Sequence, residues 1–171
     1  AGDLSHPEIM PNVPVTYLGT ISRLQKKEVN KKSGHLLVLL SGPEPQRSLL
    51  ENKIIDEISY YQHTATVVRG LPDVENLIPS TNMIQFYNHL SSSQLNEELQ
   101  KASIVIARSG YSTVMDIAAM GQKSILIPTP GQTEQEYLAH YLAEKKMAPF
   151  VSQKDFSLSN ALALAHSFQY K

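Results

Sequence analysis

The chain has 171 residues and a mass of 19.0 kDa, the size of one ordinary domain. Its composition, 42% hydrophobic and 18% charged, is a globular balance and excludes a disordered polyelectrolyte. The absence of cysteine excludes disulfides, thiolate metal sites and a cysteine nucleophile, and a net charge of -1 leaves no global field to draw the chain to nucleic acid or a membrane surface.

No apolar run approaches the ~20 residues that a membrane-crossing helix needs. Residues 1–34 contain Pro7, Pro11 and Pro14 and little periodicity. They predict an extended lead-in with one short strand, Val15-Thr16-Tyr17-Leu18, and a hydrophilic connector from Lys26-Lys27 to Ser33-Gly34. The opening Ala1-Gly2-Asp3, with neither a methionine nor a signal-peptide pattern, is what a piece of a longer protein would show.

From His35 the pattern changes. Leu36 to Leu40 is a short apolar run closed by Ser41-Gly42-Pro43, as expected of a strand buried on both faces. Leu50, Ile54 and Ile58 recur at helical spacing behind Pro45. Ala65 to Val68 and Met83 to Phe86 predict two further strands. Ser91 and Gln94 form the pattern of a capping box ahead of a helix marked by Leu95, Leu99 and Ala102. Ser103 to Ala107 predicts a strand, Thr113 to Met120 a helix stopped by Gly121, and Ser124 to Ile127 a strand stopped by Pro128. A helix over Thr133 to Lys146, a short strand over Ala148 to Val151 and a helix carrying Leu158, Leu162 and Ala165 complete the chain. This alternation predicts an α/β fold with a doubly wound parallel sheet. Ligands of such sheets sit beyond the carboxyl ends of the strands, so the loops after Leu40, Phe86, Ala107 and Ile127 are the places for chemistry.

The turn Ala107-Arg108-Ser109-Gly110-Tyr111-Ser112-Thr113 joins a strand to a helix. Gly110 permits close backbone approach, and the hydroxyls and helix start suit a phosphate or diphosphate without a metal. Capping of the helix by Ser112 or Thr113 explains the same residues equally well. Asp116 suits ribose hydroxyls or a capping box with Thr113, and Glu136 has the same ambiguity with Thr133. The loop Ser41-Gly42-Pro43-Glu44-Pro45-Gln46 lacks a P-loop pattern and reads first as a structural turn. Pro128-Thr129-Pro130-Gly131-Gln132 suits a rigid polar rim. The histidines, His6, His35, His63, His89, His140 and His166, lack metal-ligand spacing, so no metal site is expected. His89 lies where it can reach a ligand, and Tyr60, Tyr61, Tyr137 and Tyr141 are expected to pack along helices.

Read together, these loops resemble a family. The run from Ile104 to Gly121, continued by Ile125-Leu126-Ile127-Pro128 and Gln132-Thr133-Glu134-Gln135-Glu136, resembles the donor-binding signature of GT-B glycosyltransferases of the family 28 type. That family includes the bacterial N-acetylglucosaminyltransferase of peptidoglycan lipid II. The likeness covers most of residues 35–168 and is strongest from Ser103 to Tyr137.

The resemblance implies a Rossmann-like donor-binding domain over 35–171, with 1–34 leading in from a missing N-terminal domain. It implies that Ser109, Gly110, Ser112 and Thr113, within the turn that Arg108 opens, meet a donor diphosphate. Asp116 stands where a ribose-binding glutamate is usual, one methylene shorter. Gln135 matches a sugar-contacting glutamine, Glu136 replaces a second one, and Gln132 belongs to the same rim. Phe86 and Tyr87 match a strand end whose backbone meets uracil, Arg23 matches a phosphate-contacting arginine, and Ser41-Gly42 stands where the family has Gly-Gly-Ser.

The implied function is binding of a UDP-sugar as co-substrate, with no cofactor and no catalytic residue in this chain, for transfer of a hexosyl or N-acetylhexosaminyl group to a glycan, lipid or small molecule. The implied setting is cytoplasmic, up to the inner face of the membrane. Alternatives of the same shape are a UDP-sugar hydrolase or epimerase, for which His89 is the candidate, and a non-catalytic partner subunit.

Overall fold

The computed structural model describes residues 12–16, 19, 21–26 and 33–171. Five parallel strands form one sheet: β1 (Leu36–Leu39), β2 (Ala65–Val68), β3 (Ile84–Tyr87), β4 (Ile104–Ala107) and β5 (Ser124–Leu126). Their spatial order is β3-β2-β1-β4-β5, so the winding reverses between β1 and β4. β1, β2 and β4 run nearly all apolar because they are covered on both faces.

One face carries α1 (Gln46–Ile58) and α5 (Leu158–Ser167). There Leu36, Val38 and Leu40 pack with Leu50, Ile54, Ile58, Leu158 and Ala161. The other face carries α2 (Ser92–Lys101) and α3 (Tyr111–Met120), with Leu37, Val105, Leu99, Ile117 and Met120 in contact. Alternate residues of β1 thus feed opposite layers, as strand geometry requires. Leu24, from the expected lead-in, is buried in this second layer. α4 (Thr133–Glu144) covers the β5 side through Leu142, Leu126 and Ala148.

The Ser91 capping box of α2 is present on both arms, and Gly121 ends α3 in the left-handed region at φ 62. Several boundaries differ from expectation. α3 starts at Tyr111, so Thr113 lies inside it, and α4 stops at Glu144. Ala148 to Val151 is not a strand: a single bridge pairs Phe150 with Leu126, with Val151 N–H and Leu126 N–H each bonded across at 3.0 Å. Val15 and Thr16 are exposed and not in a strand, while Tyr17, Leu18 and most of the lysine connector lie outside the described residues. Tyr60 is 78% exposed rather than packed.

The outer margin of the sheet is closed by the loop before β3. Thr81 Oγ1 accepts from Ile84 N–H and Ser80 Oγ from Phe86 N–H, both at 2.9 Å.

At the amino edge of the sheet, His35 is buried against α2. Its Nδ1 lies 2.8 Å from Thr64 Oγ1, and its Nε2 lies 3.5 Å from Glu98 Oε2. Thr66 and Lys101 also donate to Glu98, each at 2.8 Å. The hydrogen bond from His35, reinforced by Lys101 and Thr66 and opposed by burial, holds the Glu98 carboxyl down at about 2. A depressed carboxylate stabilises the fold above its unfolded pKa and loses that contribution as pH falls through the folded value. Stability should therefore decline between about pH 5 and pH 2. Glu98→Gln should flatten that part of the profile in urea titrations run across the range, and an unchanged acid limb would exclude Glu98 as its source.

Candidate functional site

The parallel sheet brings the loops after β1, β4 and β5 to one edge, at the winding reversal. Arg108 ties them together from below. It is 1% exposed, and its guanidinium donates to the carbonyls of Ser41 (3.4 Å), Gln46 (2.9 Å), Ile127 (3.2 Å) and Pro128 (3.4 Å). Burial pushes its pKa down to about 10, so it remains a cation at neutral pH. Arg108 was expected among the substrate-binding residues; in this structure its donors face backbone carbonyls, and its charge acts from beneath the loops.

Ser109 is also tied to backbone. It is fully buried, and its hydroxyl donates to the Gln135 carbonyl at 2.8 Å, joining the β4 turn to the first turn of α4. Gln135 Oε1 accepts from Thr129 N–H at 3.0 Å, and its Nε2 donates to Gln132 Oε1. Glu136 Oε1 accepts from Gly131 N–H at 3.1 Å. Gln132, Gln135 and Glu136 are thus brought together as a self-bonded rim.

The β1 loop meets this rim. Gly42 has φ +103, and a Cβ there would sit 3.4 Å from Thr129 Oγ1. Thr129 lies in the loop expected to form a rigid polar rim, where sequence reasoning assigned it no role of its own. It is fully buried, and among the described residues its hydroxyl has no hydrogen-bond partner. Its place between Pro128 and Pro130 gave no chemical signal.

The two helix starts differ, and the difference selects one of them. α3 begins after Gly110 with no side-chain cap and no acidic residue in its first turn. Its first internal bond runs from Val114 N–H to the Gly110 carbonyl, so the amides of Tyr111, Ser112 and Thr113 precede the helical ladder. Among the described residues, a Cβ on Gly110 would meet nothing within 4 Å, so the helix end is open on that side. α4 also lacks a side-chain cap, but Glu134 and Glu136 sit in its first turn. The positive end of α3 is uncompensated, and that of α4 is screened by its own carboxylates. The capping roles expected for Thr113 with Asp116, and for Thr133 with Glu136, are not formed.

Asp116 lies one turn into α3, half-buried, and its Oδ1 accepts from the Ser22 hydroxyl at 2.6 Å. Arg23, next to Ser22, is exposed. Phe86 and Tyr87 stand at the end of β3, three strands or about 14 Å from β4. Two of their backbone groups are engaged within the domain: Phe86 N–H is held by Ser80, and the Tyr87 carbonyl accepts from Arg69 N–H at 2.8 Å. The exposed Tyr87 side chain is what this strand end presents.

A second rim, also absent from the sequence reading, fixes that end. Buried Glu51 accepts from Arg47 (3.0 Å) and Arg69 (2.5 Å), and Arg69 donates onward to Asn88 Oδ1 (2.7 Å). Asn88 in turn holds the Val74 carbonyl at 2.5 Å. His89 is exposed beside this network. Among the described residues no group of three or more His, Asp or Glu is placed to hold a metal ion. No helix there is long and apolar enough to cross a membrane.

An all-parallel sheet wound β3-β2-β1-β4-β5, with an open helix end at its reversal, defines a doubly wound α/β domain of the Rossmann-like class. The profile of the glycosyltransferase family 28 C-terminal domain matches residues 70–168, and the chain belongs to that family. The UDP-N-acetylglucosamine--N-acetylmuramyl-(pentapeptide) pyrophosphoryl-undecaprenol N-acetylglucosamine transferase of Buchnera aphidicola is 28% identical over 174 aligned positions, covering 98% of this chain and 49% of the relative. The chain thus spans about half the length of that curated relative. MurG of Acinetobacter baumannii has the same fold at TM-score 0.59 and 16% identity, over 92% of this chain and 49% of that one. ALG13, solved by NMR, matches at TM-score 0.57 and 11% identity, over 82% of this chain and 89% of that one. The same folding unit therefore forms half of one protein and most of another.

Proposed function

We propose that this chain is the donor-binding half of a glycosyltransferase, taking a UDP-sugar and presenting its hexosyl or N-acetylhexosaminyl group for transfer. The observation that carries the reading is the N-terminus of α3, uncapped and without acidic neighbours in its first turn, at the winding reversal of a parallel sheet. Membership of a transferase family favours this reading over a hydrolase, an epimerase or a binding-only subunit.

The diphosphate lies against the amides of α3 and the hydroxyls of Ser112 and Thr113, with Arg23 as the surface cation and Arg108 as the buried one. Asp116 accepts ribose hydroxyls, Tyr87 borders the base, and Gln132, Gln135 and Glu136 border the sugar beside Ser41-Gly42. Negative charge grows on the departing UDP, and fixed dipoles and cations aimed at it lower the barrier. The acceptor, a glycan, lipid or small molecule, must lose a proton to a base. In this reading the base belongs to an N-terminal domain across the cleft, so this chain alone binds donor and transfers nothing. The reading calls on no cofactor. It places the protein in the cytoplasm, at the inner face of the membrane when the acceptor is lipid-linked.

Calorimetric titration of the chain tests it. UDP and UDP-N-acetylglucosamine should bind, and GDP and TDP should bind more weakly. Asp116→Ala should weaken UDP by about 10- to 100-fold while circular dichroism stays unchanged, the loss expected for hydrogen bonds to a charged group. Preference for GDP or TDP would overturn the base assignment, and unchanged affinity in Asp116→Ala would remove the ribose role.

A further inference from the structure

The inference rests on the donor-binding reading and adds a residue to it: we propose that Ser22 is the positioning residue for Asp116, setting the carboxylate for the ribose hydroxyls. The geometry leaves the Ser22 hydroxyl little freedom. Its oxygen accepts from Leu24 N–H at 3.0 Å, which occupies a lone pair, and its single proton is directed to Asp116 Oδ1 at 2.6 Å. That is the short distance of a hydroxyl bonded to an ionised acceptor.

Ser22 does not depend on this bond for its place. Leu24, two residues on, is 7% exposed and packs in the layer that holds Ile117 and Met120 of α3. Gln25 is held on both backbone groups by α2: its N–H donates to Asn96 Oδ1 at 3.1 Å, and its carbonyl accepts from Gln100 Nε2 at 3.1 Å. Three independent attachments thus fix the segment against α2 and α3 and deliver the hydroxyl to Asp116 across 94 residues of sequence.

The pairing has a physical purpose. An aspartate's carboxylate rotates freely about its last torsion when half-exposed, and each orientation it samples lowers the fraction ready to accept a ligand. A donor on Oδ1 selects one orientation. A carboxylate has about four acceptor sites, so one bond from Ser22 leaves capacity for two ribose hydroxyls. Asp116 is also one methylene shorter than the glutamate that the family resemblance implies at this position. The shorter side chain has a partner supplied from the preceding segment.

The test compares UDP with its 2′,3′-dideoxy analogue in calorimetric titrations of the wild type, Ser22→Ala, Ser22→Thr, Asp116→Ala and the Ser22→Ala/Asp116→Ala double variant. Ser22→Ala should weaken UDP about tenfold, as the fraction of Asp116 held in the ready orientation falls, and leave the dideoxy analogue within about twofold. Ser22→Thr keeps the hydroxyl and should restore UDP affinity. In the Asp116→Ala background, Ser22→Ala should change nothing further. Equal weakening of both ligands would mean that the segment itself had shifted, and no weakening of UDP would mean that Asp116 orients without help. Either result overturns the proposal. Failure of the donor reading looks different, because the wild type would then bind neither ligand.

Discussion

Arg108→Met is expected to lower folding stability by about 2–3 kcal/mol, a net of opposing terms. The substitution keeps an apolar stem of similar reach and removes the charged donor that reaches the carbonyls of Ser41, Gln46, Ile127 and Pro128. A hydrogen bond to a charged group contributes about 1.5–3 kcal/mol. Two of the four bonds are long at 3.4 Å and contribute little. The two shorter ones and the residue of the long ones give a gross loss of about 5 kcal/mol. Removing the buried cation returns part of this: its drop from 12.5 to about 10 corresponds to about 3 kcal/mol of desolvation. Urea unfolding measures the difference. Donor affinity should fall more than stability predicts, because the variant loses both the ordered loops and an unneutralised positive charge beneath the crevice. Arg108→Lys should rescue the charge but not the loops, since one ammonium cannot span four carbonyls on three segments. Full stability in Arg108→Met would show that the loops hold themselves.

Ser112→Asp should move stability and binding in opposite directions. Ser112 is exposed in the first turn of α3, where a carboxylate stabilises the helix by about 0.3–1 kcal/mol. The same carboxylate would stand about 5 Å from a bound diphosphate, where two unit charges repel by about 3 kcal/mol at an effective dielectric of ~20. UDP affinity should drop by at least about 100-fold, and added salt should recover part of it. The melting temperature should rise in the same protein. Opposite signs remove unfolding as an explanation. A higher melting temperature with unchanged UDP affinity would place the diphosphate away from α3.

What the sequence disclosed and what it hid divide along sequence distance. β1, β2, β4 and β5 are short apolar runs stopped by proline, glycine or polar residues, and the Ser91 box and Gly121 stop act within four residues; such signals are local. The start of α3 was misplaced by two residues because Ser112 and Thr113 are good capping residues, and propensity drew the boundary to them. The helix instead begins after Gly110, whose extended φ of -69 and ψ of 142 carry the turn without a side-chain cap. The backbone ties made by Arg108 and Ser109 were not legible for another reason. A polar residue in a loop signature looks the same whether it faces a ligand or the backbone beneath. Only the fold shows Arg108 meeting carbonyls 19 to 67 positions away. Ser22 and the Glu51–Arg69–Asn88 chain are likewise products of tertiary contact, and no periodicity encodes them.

The closed margins of the sheet bear on how the domain meets a neighbour. On the β3 side the amides of Ile84 and Phe86 are occupied by hydroxyls of their own preceding loop, and on the β5 side Leu126 is covered by Pro149 to Val151. At these positions the amides that another strand would need as donors are already engaged. In the two-domain reading proposed above, the partner domain would meet these margins through side chains and loops and not through a fused sheet. Such contacts break and re-form at low cost. Two bodies joined in this way can swing apart to exchange nucleotide and close again with every strand of this sheet still paired.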